Sequence, residues 1–377
     1  MLDTHTVAPR PRGSLAKALG IALAAVLSVP CLAQPLAPAA HLTVRGTFAE
    51  NAAKTARDLS GIACLAPGAD GARECLVIND ESRAAQRATL AGTTLTAGPM
   101  VQLIGNNLPV GALGTRPEII CAGGPGNFGE FDGEGVTFAP GPAATGGTYY
   151  VVGSHGCSRR NDRARLSSFL LARIPVGHDG ELGATELTWR LSGALRSSHD
   201  LAPAFGSSLN QANGLNIEGI AAVGPDLLFG MRAPVVPVPG AQVPAEAGLT
   251  FIARVSASAL FAPGSSGEAI AHVRRIQLGA NAGIRDMATL PDGRLLVLSG
   301  PAQEQTDVPF ALWVFDLGQN SDDRPTRSAV LQDVLDGGER AKAEATAVLD
   351  VVGGEARILI LFDGIENGGP REYRVRL

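Results

Sequence analysis

Lysine is nearly missing from this chain: Lys17, Lys54 and Lys342 are the only three, and arginine carries the rest of the positive charge. Aromatic residues make up 5%. With no basic block and so few rings to stack on bases, nucleic-acid binding is excluded. The cysteines hold no C-x-x-C pair, which removes the usual zinc framework. No stretch keeps a helical apolar period, and no apolar run reaches the ~20 residues a membrane helix needs. What is abundant is turn chemistry: Gly and Pro number 47 and 25 of 377 residues. That favours many short strands over long helices, so the expected class is all-β.

Residues 1–33 read as a signal peptide removed on export. Arg10, Arg12 and Lys17 precede an uncharged run from Ala18 to Val29, and Cys31-Leu32-Ala33 offers a small-residue cleavage context. Losing three basic residues and one acid moves the formal charge from −5 to −7. Residues 34–40 then form a short linker and 41–377 a single domain, expected in the periplasm or medium, without a membrane segment and as a monomer. The remaining cysteines, Cys64, Cys75, Cys121 and Cys157, suit an oxidising compartment and allow three connectivities. Cys64 and Cys75 flank Pro67 to Gly71, and a hairpin centred between Ala69 and Asp70 sets them opposite each other. That pairing is favoured, and it leaves Cys121 with Cys157.

A short phrase recurs, a polar or charged residue followed by small and apolar ones. It reads Ser60-Gly61-Ile62, Glu134-Gly135-Val136, Glu218-Gly219-Ile220, Asp286-Met287-Ala288 and Glu344-Ala345-Thr346. After most copies come a turn and a second, strongly apolar strand with a polar end. Internal repetition of this kind marks an array of like units. Strands fall at 134–139, 147–153, 166–174 and 185–191 in the second unit, 218–223, 226–232, 248–255 and 270–277 in the third, and 284–290, 294–300, 309–316 and 326–331 in the fourth. Each unit is a four-stranded antiparallel sheet, hence a propeller blade. Five blades are expected, with room for a sixth in the loosely patterned stretches 84–130 or 192–217. After Glu344 the chain holds only three strands, so the segment His41 to Phe48 is expected to supply the fourth and close the ring without a bare edge. The G-x-G-x-x-G from Gly124 to Gly129 leads into a strand where a dinucleotide site needs a helix, and reads as a loop.

In a propeller the start of each inner strand and the end of the next converge at one mouth of the channel. That gathers Asp58, Ser60, Asp132, Glu134, Glu218, Arg285, Asp286 and Glu344 from strand starts, with Asp80, Glu81, Ser154, His155, Arg159, Arg160, Arg232 and Asp363 from strand ends. Two carboxylates ~6 Å apart repel by about 3 kcal/mol at an effective dielectric near 20. Offsetting that requires the arginines, a cation for which all-oxygen ligands favour Ca²⁺, or backbone N–H groups of the neighbouring blade. His155 is the candidate catalytic group, set against the plainer role of a histidine bonded to its own loop. The pattern fits a small polar or anionic ligand, with hydrolysis of a phosphate or carboxylic ester. The contrary class is a non-catalytic module for an envelope glycan or partner protein.

The phrases Asp58 to Ala63, Glu134 to His155, Asn216 to Ala221 with Gly230 to Pro234, and Gly283 to Met287 with Leu298 to Pro301 resemble the bacterial domain-of-unknown-function 3616 family. The resemblance covers about residues 50 to 377 and implies an exported propeller without a stated activity. The chain is also similar, through its Glu-Gly phrases, to esterase-like phytase propellers. Ala233 and Ala345 stand where that pattern has glycine.

Overall fold

The computed structural model describes residues 5, 8, 34–51, 54–118, 121–142, 146–238, 248–264, 269–318 and 324–377. The signal-peptide reading therefore falls almost wholly outside the described residues, as do parts of the loops following Val235 and Ala262.

Five four-stranded antiparallel blades stand in a ring. Strands A to D are Leu59–Cys64, Arg73–Asn79, Ala84–Ala91 and Thr94–Gln102 in blade 1, and Gly133–Pro140, Gly147–Gly153, Leu171–Val176 and Glu186–Thr188 in blade 2. Blade 3 has Asn216–Val223, Asp226–Ala233, Gly248–Ser256 and His272–Gln277; blade 4 has Ala282–Thr289, Leu295–Pro301, Ala311–Phe315 and Thr326–Val330. Blade 5 has Lys342–Val352, Glu355–Asp363 and Arg371–Arg376, completed by Ala40–His41. Each inner strand packs against the next, and blade 5 returns to blade 1. Alternation puts every second side chain into the seam between blades. Five apolar clusters result, one per seam; between blades 1 and 2 Leu76 and Ile78 meet Val136 and Val151, and between blades 4 and 5 Leu296 and Leu312 meet Ile358 and Tyr373.

Among the described residues there is no sixth blade. Residues 84–102 are the outer strands of blade 1, and the stretch after Thr188 forms the short helix Arg190–Arg196, whose Leu191 and Leu195 fill the seam between blades 2 and 3. Blade 2 also departs from its expected boundaries. Leu166–Phe169 is a 3₁₀ turn held by Ser168 Oγ donating to Arg165 O, so strand C begins at Leu171.

Closure comes from the N-terminus, as expected, but through a longer strap. The Leu36 N–H bonds Val330 O, and Leu36 O accepts from Gln332 N, on blade 4. Ala40 and His41 pair with Glu372 and Arg371 of blade 5. Thr43–Arg45 then runs parallel to Thr94, Leu95 and Thr96 of blade 1. The segment expected as one strand thus serves two blades, and the stretch expected as a linker already carries sheet hydrogen bonds.

Both disulfides form. Cys64 and Cys75 are register partners in blade 1 with Cα atoms 4.0 Å apart. Cys121 and Cys157 tie the glycine-rich loop to the loop after strand B of blade 2. That loop precedes a strand, as its sequence implied. Among the described residues no helix is long and apolar enough to cross a membrane.

Candidate functional site

The recurring phrase marks a β-bulge. In every blade the pairing of strands A and B skips one residue near the start of strand A: Ser60, Glu134, Glu218, Arg285 and Glu344. A bulged residue is unpaired in the ladder and its side chain is re-aimed, here at the channel mouth. The fourth copy therefore aligns on Arg285, one residue before the acid that the sequence pattern selected. In the other four copies a small residue follows, and the close approach of the next blade explains it at Gly135. A Cβ on Gly135 would lie 2.8 Å from Glu218 O and 3.2 Å from Ile220 N.

The ring of bulged residues is short of positive charge, and blades 3 to 5 offset this with alternating signs. Arg232, itself skipped in the pairing of strand B, donates from Nη1 to Glu218 Oε1 at 2.6 Å. Glu218 Oε2 lies 2.9 Å from Arg285 Nε, an ion contact too bent for a hydrogen bond. Arg285 Nη2 pairs with Glu344 Oε1. Arg232 also donates from Nε to Ala302 O at 2.9 Å. Arg285 is 1% and Glu218 3% exposed, so this Arg–Glu–Arg–Glu ladder forms a buried floor. Burial, with Arg232 nearby, draws Arg285 down to about 10. Asp286 points elsewhere: its carboxylate accepts from Met287 N at 2.8 Å and Thr346 N at 2.6 Å, locking blade 4 to blade 5. Burial raises its pKa against those two bonds.

Above the floor opens a cavity of about 360 Å³, reached by Asp80, Glu134, Arg159, Glu218, Arg232 and Glu344. Asp132 and Ser154 line it too, and Ser154 Oγ donates to Asp132 Oδ2. Burial pushes Asp132 up to about 6 despite that bond. Burial first, then the charge of Glu218, holds Glu134 well above the usual carboxylate range. Burial and the charges of Asp132, Asp58 and Asp363 do the same to Asp80. Arg159 has no ion pair or side-chain hydrogen bond among the described residues, and burial, then Arg232, lowers its pKa. Asp58 stands behind Asp80 and influences it through charge without lining the cavity. Among the described residues no three His, Cys, Asp or Glu side chains stand close enough to hold a metal ion.

His155 does not reach this cavity. Its neighbours Ser154 and Gly156 line the wall while its ring turns inward, with Nδ1 2.9 Å from Gly153 O and the ring 5.7 Å from that of Phe169. The reason is backbone conformation: His155 sits at φ 54°, which reverses the side-chain direction within the loop. Burial lowers its pKa to about 4. Unfolded histidine titrates near ~6.5. The folded state therefore resists the proton that the unfolded chain takes up, and stability present above pH ~6.5 is lost as pH falls toward about 4, by about 3 kcal/mol. We expect His155→Asn, which tolerates that φ, to flatten the loss in denaturant titrations run across this range. Equal pH slopes for both proteins would contradict this placement.

The sequence reading missed Asn216, Lys342 and Arg165 among its site residues, although all three line the cavity. Two were legible. Asn216 and Lys342 each stand two residues before an acid at a strand start, and the period of two puts such a pair on one face. Lys342 pairs with Asp363 at 2.5 Å, and Arg165 pairs with Glu130. Arg165 arrives from a loop and carries no comparable signal.

Fold and site together define a five-bladed β-propeller with a charged, cavity-bearing channel mouth. The chain belongs to the family described as protein of unknown function (DUF3616), whose profile matches residues 176–372. Among solved structures it is similar to an α-L-arabinofuranosidase from Podospora anserina at 10% identity, with TM-score 0.44 and coverage of 90% of this chain and 96% of that one. An α-L-arabinanase from Penicillium chrysogenum gives 9% identity, TM-score 0.38 and coverage of 90% and 97%. A 6-phosphogluconolactonase-like protein from Bacteroides uniformis gives 12%, 0.31, and 86% and 74%. These likenesses carry no inference about chemistry. No functionally curated protein matches the chain.

Proposed function

We propose that this is an exported propeller that binds a small polar ligand at the channel mouth and hydrolyses an ester there. One observation carries the reading: the unpaired guanidinium of Arg159 shares a cavity with Asp80, Asp132 and Glu134, which form no ion pair among the described residues, and burial holds Asp132 at about 6. Arg159 holds the ligand's anionic group or the oxygen on which charge develops. Ionised Asp132 takes a proton from water as that water attacks the carbonyl or phosphoryl centre, and the leaving alkoxide is protonated by solvent. Ser154 fixes the carboxylate through its hydrogen bond. The two disulfides fit the oxidising environment of the periplasm or medium. Among the described residues the exposed large apolar side chains are Met100, Leu108, Val110, Ile270, Leu335 and Val352, scattered and without an aromatic. That composition disfavours a broad protein-binding face.

The test uses p-nitrophenyl acetate and p-nitrophenyl phosphate as probes. Turnover should rise with pH through about 6, because the base must be ionised. Asp132→Asn should lower kcat by roughly 10²–10⁴, the usual worth of a positioned general base, with melting unchanged. Arg159→Met should act mainly through KM. Turnover that is absent for both esters while a polar ligand still binds would leave a binding module and refute the catalytic step.

A further inference from the structure

The unfilled hydrogen-bonding capacity of this cavity lies mostly on one side. Asp80 Oδ1 and Asn216 Oδ1 are buried and accept from no donor. Asn216, on blade 3, is 6% exposed and lines the same cavity as Asp80 of blade 1. An orphaned buried acceptor is destabilising, so whatever fills the space gains by donating. Asp80 has no cationic partner. The charges that act on it, from Asp132, Asp58, Asp363 and Glu81, are all negative, and the nearby Lys342 is engaged by Asp363. At the other pole Arg159 feels Arg232, Glu218 and Glu134. The cavity is thus polarised, with an acidic wall reaching from blade 1 and, among the described residues, two guanidiniums of blade 2 without an ion pair, the partly buried Arg159 and the exposed Arg160.

We propose that the ligand bound at this mouth is bipolar, with an ammonium or other N–H cation on the Asp80 wall and its anionic or carbonyl end on Arg159. The assignment rests on the ligand-binding reading above and names the class of molecule that site takes. An organic cation suits the wall better than a metal ion. Ca²⁺ needs several oxygens at ~2.3–2.6 Å, whereas N–H donors reach acceptors spread over a wider arc at ~2.7–3.2 Å. No trio of acids among the described residues is close enough for the first arrangement. Counter-charge is also what the wall lacks, since a bound cation lets Asp80 ionise where burial and its acidic neighbours otherwise oppose this.

Three probes of one carbon chain separate the ends: γ-aminobutyrate, butylammonium and butyrate, titrated calorimetrically into the full mature chain. γ-Aminobutyrate should bind most tightly. Butylammonium binding near neutral pH should release protons, measured as a dependence of the heat on buffer ionisation enthalpy. Asp80→Asn should weaken both amines about tenfold, the worth of one charge-assisted hydrogen bond, and leave butyrate unaffected. Should that variant fail to fold, Asn216→Asp supplies the test in the opposite direction by tightening both amines. Arg159→Met should weaken butyrate and γ-aminobutyrate but spare butylammonium. Butyrate binding as tightly as γ-aminobutyrate, with Asp80→Asn silent, would overturn the bipolar assignment and leave the anion-binding reading standing. Amine binding lost in Asp80→Asn with butyrate indifferent to Arg159→Met would do the reverse. Displacement of butylammonium by Ca²⁺ would overturn the organic-cation assignment, and binding of no probe would overturn both readings.

Discussion

Deleting residues 35–45 should abolish the folded state or leave it aggregating, with loss of the cooperative thermal transition. The strap contributes backbone hydrogen bonds to three successive blades, from Leu36 on blade 4, Ala39 and Ala40 on blade 5 and Thr43 on blade 1. It also places Leu42 in the core between blades 5 and 1, where it packs with Phe48 and Leu361. Removing it strips the outer strand from blade 5 and bares an edge to other chains. Net hydrogen bonds at ~1 kcal/mol each, with a buried leucine at ~2 kcal/mol, bring the loss to roughly 5 kcal/mol or more. That is comparable with the ~5–15 kcal/mol that holds a typical domain together. A truncated protein that melts like the parent in calorimetry would show that the ring closes without the strap.

Arg285→Met should be the most damaging single substitution at the mouth. The guanidinium is 1% exposed and stands between Glu218 and Glu344, so its removal leaves two buried carboxylates without their shared counter-charge. Breaking a buried pair from one side costs about 3–5 kcal/mol, far more than the pair itself contributes. Thermal denaturation should show a fall of several degrees at least. Glu344→Gln in the same background should recover part of the loss, since it removes one of the stranded charges. Coupling of this kind in a double-mutant cycle would establish the ladder as a unit; strictly additive effects would mean the two side chains act separately.

The contrast between Arg285 and Asp286 shows how far a linear pattern reads. Both were gathered to the mouth from their place at a strand start, but Arg285 joins the buried ladder whereas Asp286 bonds across the seam to blade 5, and the repeat was aligned on the acid. The register shift lies one residue earlier, between Ile284 and Asp286. A bulge is a property of pairing between two strands, so the sequence of one strand does not reveal which residue the ladder skips. The same holds for His155. Its place in the chain put it beside the cavity, whereas a positive φ turned its ring into the core.

Other features needed no coordinates. The repeated phrase, the turn-rich composition and the three-strand remainder after Glu344 were sufficient for a closed five-bladed ring, because strand alternation and the penalty on bare edges act locally and identically in every blade. The Cys64 and Cys75 pairing followed from a short hairpin for the same reason. Charge pairing at the mouth did not follow. Glu218, Arg285 and Glu344 come from three blades, Asp80 and Arg159 from the other two, and Asn216 shares the strand of Glu218. Which of them neutralise each other and which stay unpaired depends on separations of a few ångströms in a buried setting, where Coulomb energies change steeply with distance. Only the packing of blade on blade sets those separations.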